Sequence, residues 1–330
     1  MASDPVDVVG VGNAIVDVIS QSTDGFLAEE GLTKGSMALI DVDRAVELYG
    51  RMGPGVESSG GSAANTIAGL ASFGATVAYV GRVRDDQLGA VFAHDIRSLG
   101  VAFDVPAATS GPPTARCLIL VTPDAERTMN TFLGASALLA PDDVDEEVVA
   151  RARIVYCEGY LWDVDQAKAA IRKAMDVAGR NGNHVAFALS DGFCVDRHRA
   201  EFLELCSGPV DILFANEAEI LSLYETDDFD EALQRARRDV KVACLTRSEK
   251  GSVIVAGDEV HVVDAQPVDQ VVDTTGAGDL YASGFLYGMV AGHDLATCGR
   301  LASLAAAEVV SHVGARPLVS LRELATDALG

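Results

Sequence analysis

The feature that most constrains the fold is an alternation of strand-like and helix-like segments in the second half of the chain. Short apolar runs are typical of buried strands, and the longer segments between them place apolar residues at helical spacing. The predicted strands cover residues 154–157, 184–189, 212–214 and 242–245. The predicted helices cover residues 166–180, 199–205 and 217–223. This order predicts an α/β fold in which a mainly parallel sheet is covered by helices on both faces.

A glycine turn near the C-terminus predicts a binding site for an anion. Residues 269–272 are typical of the end of a strand, and residues 280–290 have apolar side chains at helical spacing. Gly276, Ala277 and Gly278 lie between them, at a predicted helix N-terminus whose backbone N–H groups lack intrahelical partners. Because glycine has no Cβ atom, an anionic ligand can approach these N–H groups closely.

Asp279 adds a carboxylate beside this predicted anion site. Two like charges at one place make chemical sense if the carboxylate takes a proton from a nucleophile that attacks the anion. The alternative is an ordinary helix with an aspartate in its first turn, which is the commoner origin of a Gly-x-Gly-Asp sequence taken alone. The pattern therefore indicates a general base only in combination with other features of the chain.

Polar residues also follow the first predicted strand, which covers residues 6–12. A dinucleotide-binding motif needs a glycine where Ile15 stands and a helix after it, and the sequence has neither. Asn13 and Asp17 can instead face a polyhydroxylated ligand, because a carboxylate accepts hydrogen bonds from two adjacent hydroxyl groups. A solvated aspartate at a strand end is an equally good interpretation.

A second glycine pair precedes a predicted helix over residues 66–73. Gly60 and Gly61 stand among serines and Asn65, which suit a neutral polar ligand better than an anion. A predicted strand over residues 76–80 and a polar loop follow.

These segments together resemble the two signatures of the ribokinase (PfkB) family of carbohydrate and nucleoside kinases. Residues 273–279 resemble the C-terminal signature. Gly60, Gly61 and the Gly-x-Val-x-x-Asp-x-x-Gly pattern over residues 81–89 resemble the N-terminal signature. The signatures occur in the order found in the family, and the resemblance spans essentially the whole chain. It implies an ATP-dependent phosphotransferase that acts on a primary sugar hydroxyl.

The resemblance also implies an architecture. We expect one domain over residues 1–330, with a ribokinase-like three-layer α/β/α core and a small β-sheet lid. The lid strands should come from about residues 13–45 and 110–134, including a hairpin over residues 114–132 that the β-type runs themselves predict. Arg127 in this hairpin is expected to be exposed, and contact with the phosphates is the alternative.

The candidate site residues fall into four groups with roles implied by the resemblance. The catalytic base and the anion hole comprise Asp279, Gly276, Ala277 and Gly278. The acceptor-binding residues are Asn13, Asp17, Gly61, Asn65 and Tyr160. The nucleotide-binding residues are Asn216, Thr246, Gly251 and Thr275. The Mg²⁺ residues are Glu219 and Asn216.

The magnesium prediction depends on the Asn216-x-x-Glu219 pattern, which matches a family motif. The pattern follows a predicted strand, and open α/β sheets bind ligands at the carboxyl ends of their strands. An amide and a carboxylate one helical turn apart suit a hydrated Mg²⁺ ion bound to phosphate. An ordinary N-capped helix is the alternative that the motif match disfavours.

The predicted nucleotide loop departs from the family pattern at one position. Thr246 and Gly251 match a Thr-x-Gly-x-x-Gly loop, but Ser248 replaces its first glycine and leaves the local backbone geometry open. Asp273 and Thr275 resemble residues that bind an activating K⁺ ion in some family members. ATP and Mg²⁺ are therefore the expected cofactors, and K⁺ dependence is left open.

Three features favour the adenosine kinase branch of the family. They are the Gly-Asn-Ala-Ile-Val-Asp run over residues 12–17, the hairpin near residues 114–134, and the Glu-Gly-Tyr sequence over residues 158–160. In that branch the equivalent of Tyr160 stacks on the purine, whereas a partly buried core tyrosine is the alternative. A ribokinase-type or fructokinase-type sugar kinase is the main rival function, and a catalytically inactive ligand-binding regulator is a remote one.

Charge and composition limit the partners and the compartment. The chain has 49 acidic and 25 basic residues, a formal charge of −24 that disfavours nucleic-acid binding. Its dispersed cysteines, the start of the sequence and the lack of an apolar run of about 18 residues predict a cytoplasmic protein without a membrane span. The expected partners are a nucleoside or sugar and ATP, with the chain a monomer or a homodimer that associates through the lid.

Overall fold

The computed structural model describes residues 5–124 and 126–329. The first four residues lie outside the described residues, and the expectation of a chain without a signal sequence partly depends on them. Ala125, within the predicted hairpin, and Gly330 also lie outside. In chain order, the described strands are β1 Val6–Val11, β2 Ile15–Gln21, β3 Met37–Leu39, β4 Gly55–Gly60, β5 Val77–Val80, β6 Ala115–Val121, β7 Arg127–Phe132, β8 Ala152–Glu158, β9 His184–Ala188, β10 Ile212–Asn216, β11 Val242–Thr246, β12 Ser252–Ala256 and β13 Glu259–Val263.

Helices occur between most of these strands and after the last one. The described α-helices are α1 Asp24–Glu29, α2 Val42–Arg51, α3 Ser62–Phe73, α4 Gln87–Ser98, α5 Glu146–Ala150, α6 Asp165–Arg180, α7 Gly192–Cys206, α8 Glu217–Tyr224, α9 Phe229–Asp239, α10 Ala277–Val290, α11 Leu295–Val310 and α12 Leu321–Leu329.

The described strands form two sheets. The larger sheet has the order β13-β12-β11-β10-β9-β8-β1-β5. Its pairs from β5 to β11 are parallel, and β12 and β13 add an antiparallel edge. The fold prediction is therefore confirmed, including each strand predicted from its apolar run in the second half of the chain.

Alternate residues along the central strands pack against helices on opposite faces of the larger sheet. Val155 and Cys157 of β8 belong to the apolar cluster that includes α6, α7 and α9. Ile154 and Tyr156 of the same strand belong to the cluster that includes α3, α4 and α10. This period of two, in a strand buried on both faces, is the packing expected of a three-layer α/β/α core.

The smaller sheet has the order β3-β7-β6-β2-β4, and hereafter we call it the small sheet. Four of its strands lie within residues 13–45 and 110–134, whereas β4 lies outside those ranges. One face packs on the main core through Val16, Val18 and Leu118. The other face carries a separate apolar cluster around Ile119.

Three local predictions are wrong or incomplete. Residues 269–272 do not form a strand, because the extended segment finds only the end of α11, where Val272 N donates to Val310 O at 2.8 Å. Residues 58–60 complete β4, and α3 begins at Ser62, earlier than predicted. Helix α7 begins at Gly192 and includes a non-helical residue, His198, so the predicted segment is only its second part.

All six cysteines are buried and free of disulfide bonds in the described part of the chain. None of the described helices is both long enough and apolar enough to cross a bilayer.

Candidate active site

Asp279 lies in the first turn of α10, next to the predicted anion hole. Gly276 caps this helix in the left-handed conformation, with φ of 78°. Ala277 N donates to Thr274 O at 3.2 Å, and no side chain among the described residues caps the helix end. A Cβ atom at Gly276 would lie 2.7 Å from Ala315 Cβ, whereas one at Gly278 would have open space among the described residues. The helix end is therefore open to a ligand on the side of Gly278 and closely packed behind Gly276.

The N-terminal signature supplies the partners of Asp279. Asp279 Oδ1 accepts a hydrogen bond from Ser62 Oγ at 2.7 Å, and Oδ2 accepts one from Asn65 Nδ2 at 2.9 Å. Burial raises the pKa of Asp279, while these two hydrogen bonds and the charge of Arg316 act in the opposite direction. The carboxylate is thus oriented by fixed donors and is more basic than an exposed aspartate, as a general base requires.

Asp273 stabilises the loop that precedes this helix. Its Oδ1 accepts from Thr275 N at 3.0 Å, and its Oδ2 accepts from Gly314 N at 2.9 Å. Arg127 Nη1 also donates to Asp273 Oδ2 at 2.5 Å and to Thr275 Oγ1 at 3.0 Å. The expectation of an exposed hairpin arginine is wrong, because the Arg127 side chain is only 9% exposed.

The same contacts disagree with a K⁺ site built on these two side chains. Arg127 already forms an ion pair with the Asp273 carboxylate and donates a hydrogen bond to the Thr275 hydroxyl. A guanidinium and a K⁺ ion would compete for the same oxygens. The side chains of Asp273 and Thr275 therefore do not fit a bound K⁺ ion in this arrangement.

Asp17 lies in the middle of β2 and faces the glycine pair. A Cβ atom at Gly60 would lie 2.3 Å from Asp17 Oδ2, so only glycine leaves room for this carboxylate. Gly61 has φ of 99°, and a Cβ there would lie 2.2 Å from Asn13 O. Burial raises the pKa of Asp17 to about 6, with the charges of Arg316 and Arg127 opposing the rise.

Asn13 and Glu158 form a buried network behind the acceptor side. Glu158 Oε1 accepts from Asn13 N at 2.8 Å and Nδ2 at 2.7 Å, and Oε2 accepts from Ala63 N at 2.6 Å. Ser136 Oγ donates to Asn13 Oδ1 at 2.8 Å. Because Asn13 is only 2% exposed, these contacts favour a positioning role over the predicted contact with a ligand.

Burial raises the pKa of Glu158 to about 7, against the hydrogen bonds that favour its ionised form. Its side chain is completely buried. The sequence indicated Glu158 only as part of a branch-specific run, and its link to Asn13 depends on strands that are distant in the chain.

The two polar atoms of the Asn65 side chain have different surroundings. Its amide nitrogen bonds Asp279, but its Oδ1 is buried and has no partner among the described residues. A buried amide oxygen without a hydrogen bond is costly, so a ligand hydroxyl that donates to it would be favoured.

Tyr160 lies in the turn Gly159–Asp163 after β8. Its backbone N donates to Ser190 Oγ at 3.2 Å, and its hydroxyl donates to Ser190 O at 3.1 Å. Burial raises the pKa of Tyr160, and the negative charges of Asp191 and Asp279 act in the same direction. Ser190 therefore holds Tyr160 at its backbone nitrogen and at its hydroxyl group.

A cavity of about 80 Å³ brings several predicted residues together. Its lining combines the base with the magnesium motif and the start of the nucleotide loop, from Gly278, Asp279, Asn216, Glu219 and Thr246. Ser62 and Ser190 add polar atoms on the acceptor side of the cavity.

The Asn216-x-x-Glu219 motif forms an N-cap, as its alternative interpretation predicted. Glu219 N donates to Asn216 Oδ1 at 2.9 Å, and the Glu219 carboxylate accepts from Asn216 N at 3.0 Å and Nδ2 at 2.6 Å. Burial raises the pKa of Glu219 to about 7, and the charges of Asp191 and Asp279 add to the rise. A cation beside this carboxylate would favour its ionised form.

Asn216 and Glu219 can therefore help to hold a divalent cation only together with other ligands. In the described ranges, no three His, Cys, Asp or Glu side chains cluster closely enough to hold a metal ion by themselves. Mg²⁺ commonly keeps several waters and bridges one or two carboxylates to substrate phosphates, which suits the donors of Asn216 and Glu219.

The nucleotide loop keeps a left-handed backbone at the position where the family glycine is missing. Ser248 has φ of 52°, and Gly251 has φ of 81°. A Cβ atom at Gly251 would lie 2.1 Å from Val263 O, so glycine is required there. Thr246 ends β11 and lines the cavity. The serine thus preserves the turn at the cost of a strained conformation.

Arg316 is a site residue that the sequence did not indicate. It lies in the loop between α11 and α12 and donates to Ser59 O and to Ala64 O, at 3.0 and 2.6 Å. No glycine pattern or spacing distinguishes it, because its contacts depend on how the C-terminal loop packs against α3.

The fold and the site together define a class of protein. Residues 32–321 match the model of the pfkB family carbohydrate kinases. The chain belongs to this family and is a sugar or nucleoside kinase.

Within this class the chain is similar to proteins of both kinds. It is 55% identical to the structure of adenosine kinase from Sinorhizobium meliloti, with a TM-score of 0.92 and coverage of 98% of this chain and 100% of that one. It is 53% identical to a probable sugar kinase from Rhizobium etli, with a TM-score of 0.92 and coverage of 99% of each chain. Adenosine kinase of Saccharomyces cerevisiae is 26% identical over 93% of this chain and 95% of its own length.

Proposed function

We propose that the protein is an adenosine kinase, which transfers the γ-phosphoryl group of ATP to the primary ribose hydroxyl of adenosine and yields AMP and ADP. The observation that carries this proposal is the 55% identity, over 98% of the chain, to the adenosine kinase of Sinorhizobium meliloti. The hydrogen bond from Asn65 to Asp279 supports it, as does the rise that the Asp279 charge causes in the pKa values of Asp17 and Tyr160.

The acceptor would be held by its hydroxyl groups. The Asp17 carboxylate can accept from two adjacent ribose hydroxyls, and Gly60 and Gly61 leave the space beside it free of side chains. Asn65 Oδ1, which has no partner in the described part of the chain, can accept from a further hydroxyl. Because Asn65 also bonds the base, the acceptor and Asp279 would be positioned by one side chain.

The chemical step would then be an in-line displacement. Asp279 takes the proton of the primary hydroxyl while the hydroxyl oxygen forms a bond to the γ-phosphorus. The bond between that phosphorus and the bridging oxygen of ADP breaks at the same time. The backbone N–H groups of Gly276, Ala277 and Gly278 stabilise the charge on the transferred group. Closure of the small sheet over the acceptor would exclude water.

The nucleotide side would use the cavity and the loop beyond it. Thr246, Gly251 and Thr275 are the residues we assign to ATP, with Asn216 at the phosphates. Mg²⁺, when bound, neutralises charge on the phosphates. Asn216 and Glu219 would hold it. We assign no role to K⁺, given the position of Arg127.

Purine recognition would distinguish adenosine from a free sugar. Tyr160 is fixed by Ser190, so its ring can stack on a base without first being ordered. A sugar without a base gains nothing from this ring.

We also propose that two copies associate through the small sheet. A row of apolar residues crosses the sheet at one register, on the face that carries Asp17, and consists of Met37, Met129, Ile119, Ile19 and Val56. Its two ends are exposed, Met37 at 45% and Val56 at 70%. Ile119 at its centre is buried. Exposed apolar residues on a sheet face are a common feature of interfaces.

An assay of ADP release against a panel of acceptors tests the function. We expect the wild-type protein to prefer adenosine to ribose and fructose. Tyr160→Ala should reduce kcat/KM for adenosine by roughly tenfold or more, since base–aromatic stacking is worth about 1–3 kcal/mol. Tyr160→Phe keeps the ring and is the matched control.

Two outcomes would replace this function. Preference of the wild-type protein for a free sugar would favour the sugar-kinase function, which the similarity to the Rhizobium etli protein also supports. Binding of acceptor without ADP release from any member of the panel would favour a non-catalytic regulator.

A further inference from the structure

In the folded chain Arg316 lies between the two signature loops, although it follows both of them in sequence. It is part of the loop that connects α11 with α12, where the chain passes behind the anion hole. Gly314 N donates to Asp273 Oδ2 at 2.9 Å. Ala315 packs so closely on Gly276 that a Cβ atom there would lie 2.7 Å from Ala315 Cβ. The two residues before Arg316 therefore support the C-terminal signature.

The Arg316 side chain contacts the N-terminal signature. Its Nε and Nη2 donate to Ser59 O at 3.2 and 3.0 Å, Nη2 donates to Ser59 Oγ at 3.1 Å, and Nη1 donates to Ala64 O at 2.6 Å. Ser59 is fixed in turn by Asp95, which accepts from its backbone N at 2.8 Å and its hydroxyl at 2.6 Å. The guanidinium thus holds the turn over residues 59–64 at both ends.

The residues that orient the base lie in or beside this turn. Ser62 is inside it and Asn65 follows it, and both donate to Asp279. Gly61, with φ of 99°, provides the turn with backbone freedom. A turn that contains a left-handed glycine is not rigid by itself, so its geometry depends on what holds its ends.

The charge of Arg316 also acts on both carboxylates of the site. It opposes the burial that raises the pKa of Asp17 and of Asp279. Burial lowers the pKa of Arg316 itself, but arginine starts so high that it remains charged at neutral pH. The negative charge of Asp279 also acts on other titratable groups and raises their pKa values: Asp17 on β2, Tyr79 on β5, Tyr156 and Glu158 on β8, Tyr160 after β8, and Glu219 on α8.

We propose that Arg316 is a positioning residue for phosphoryl transfer, which couples the anion hole to the acceptor loop. Its planar fork holds the 59–64 turn so that Ser62 and Asn65 aim Asp279, and its charge favours the ionised forms of Asp279 and Asp17. Arg316 itself bonds neither carboxylate in the described contacts, so it acts through the turn and through its field.

Two substitutions separate the effect of the planar guanidinium donors of Arg316 from the effect of its positive charge. Arg316→Lys keeps the charge but loses the planar arrangement of donors, and Arg316→Gln keeps a hydrogen-bonding amide but loses the charge. We expect kcat to fall at least about tenfold in both variants, equivalent to ~1.4 kcal/mol. Only Arg316→Gln should move the acidic limb of the kcat/KM profile to higher pH, because only that variant lets both carboxyl pKa values rise.

Arg322 offers a matched control. It donates to Phe73 O at 3.1 Å and Gly74 O at 3.2 Å, and so ties the same C-terminal region to the opposite end of α3. Arg322→Gln should change thermal stability without changing the pH profile. A purely structural role for Arg316 would give the same result as this control.

The proposal rests on the proposed kinase function, but the two fail in distinguishable ways. Wild-type activity against the acceptor panel tests the function, and the Arg316 comparison then uses the acceptor that the wild type phosphorylates. An unshifted acidic limb in Arg316→Gln, or kcat within twofold of wild type in both variants, would overturn the proposal. Loss of the folded state in both variants, measured by thermal unfolding, would reduce Arg316 to a stabilising residue and would also overturn it.

Discussion

At the scale of single residues, four carboxyl groups of the site have raised pKa values because burial disfavours their ionised forms. They are Asp17, Glu158, Glu219 and Asp279. Hydrogen bonds compensate for burial at three of them. Glu158 accepts from backbone donors, Glu219 takes part in a helix N-cap, and Asp279 accepts from side-chain donors. Asp17 has no hydrogen-bond donor among the described residues and is helped only by the positive charges of Arg316 and Arg127, so it is the group most dependent on a bound ligand.

The first prediction concerns the proton acceptor. Asp279→Asn keeps the shape and the hydrogen bond from Ser62 but removes the base, so kcat should fall by roughly 10²–10⁴. The Kd for adenosine, measured without nucleotide by calorimetry, should change little. Asp269→Asn, an exposed position in the preceding segment, is the control and should behave as wild type. A near-normal kcat for Asp279→Asn would refute the base assignment.

The second prediction uses the pKa of Asp17. Its pKa in the folded protein is raised to about 6, so the carboxylate is ionised above that pH and becomes protonated as pH falls through it. Only the ionised form can accept from two hydroxyls at once. Adenosine affinity without nucleotide should therefore weaken as pH decreases from 8 to about 5, and Asp17→Asn should bind weakly with no such dependence. An equal pH dependence in the variant would assign the titration to another group.

At the scale of elements, prediction from sequence succeeded where a segment is buried on both faces. The strands β8 to β11 were predictable because an apolar run has few alternatives to a central strand. Residues 269–272 end in two β-branched valines, but Val271 is 56% exposed and the segment has no partner strand among the described residues. Strand pairing depends on distant parts of the chain, and composition does not reveal it.

The third prediction concerns the nucleotide loop. Ser248→Gly removes the strain of a non-glycine residue in the left-handed region and adds flexibility to the unfolded chain. The net effect should be a stabilisation of roughly 0.5–1 kcal/mol with an unchanged KM for ATP. Gly251→Ala should destabilise by roughly 1–2 kcal/mol or more and raise the KM for ATP, because its Cβ would meet Val263 O. Thermal unfolding and ATP kinetics check both, and equal effects would contradict the assigned loop geometry.

At the scale of the whole molecule, the candidate site is formed by segments distant in sequence. Both signatures were recognisable from their glycines. Close backbone approach and positive φ require glycine at Gly61 and Gly276, so these positions can be identified from the sequence. Arg127 and Arg316 cannot be identified in this way, because an arginine on a strand or in a loop is common. Their contribution arises only when the small sheet and the C-terminal loop meet the core.

The last prediction concerns assembly through the small sheet. The row from Met37 to Val56 runs two residues along the strands from Asp17, so a second copy seated there would lie next to the acceptor site. Val56→Glu would bury a charge in that interface, and sedimentation should show a dimer in the wild type and at least about tenfold weaker association in the variant.

Val262→Glu is the control, because Val262 is 72% exposed on β13 at the edge of the larger sheet. This variant should remain dimeric. A monomeric wild type at micromolar concentration, or equal dissociation of both variants, would mean that the apolar row is not the interface. The row would then serve only as the inner face of a lid that closes on its own core.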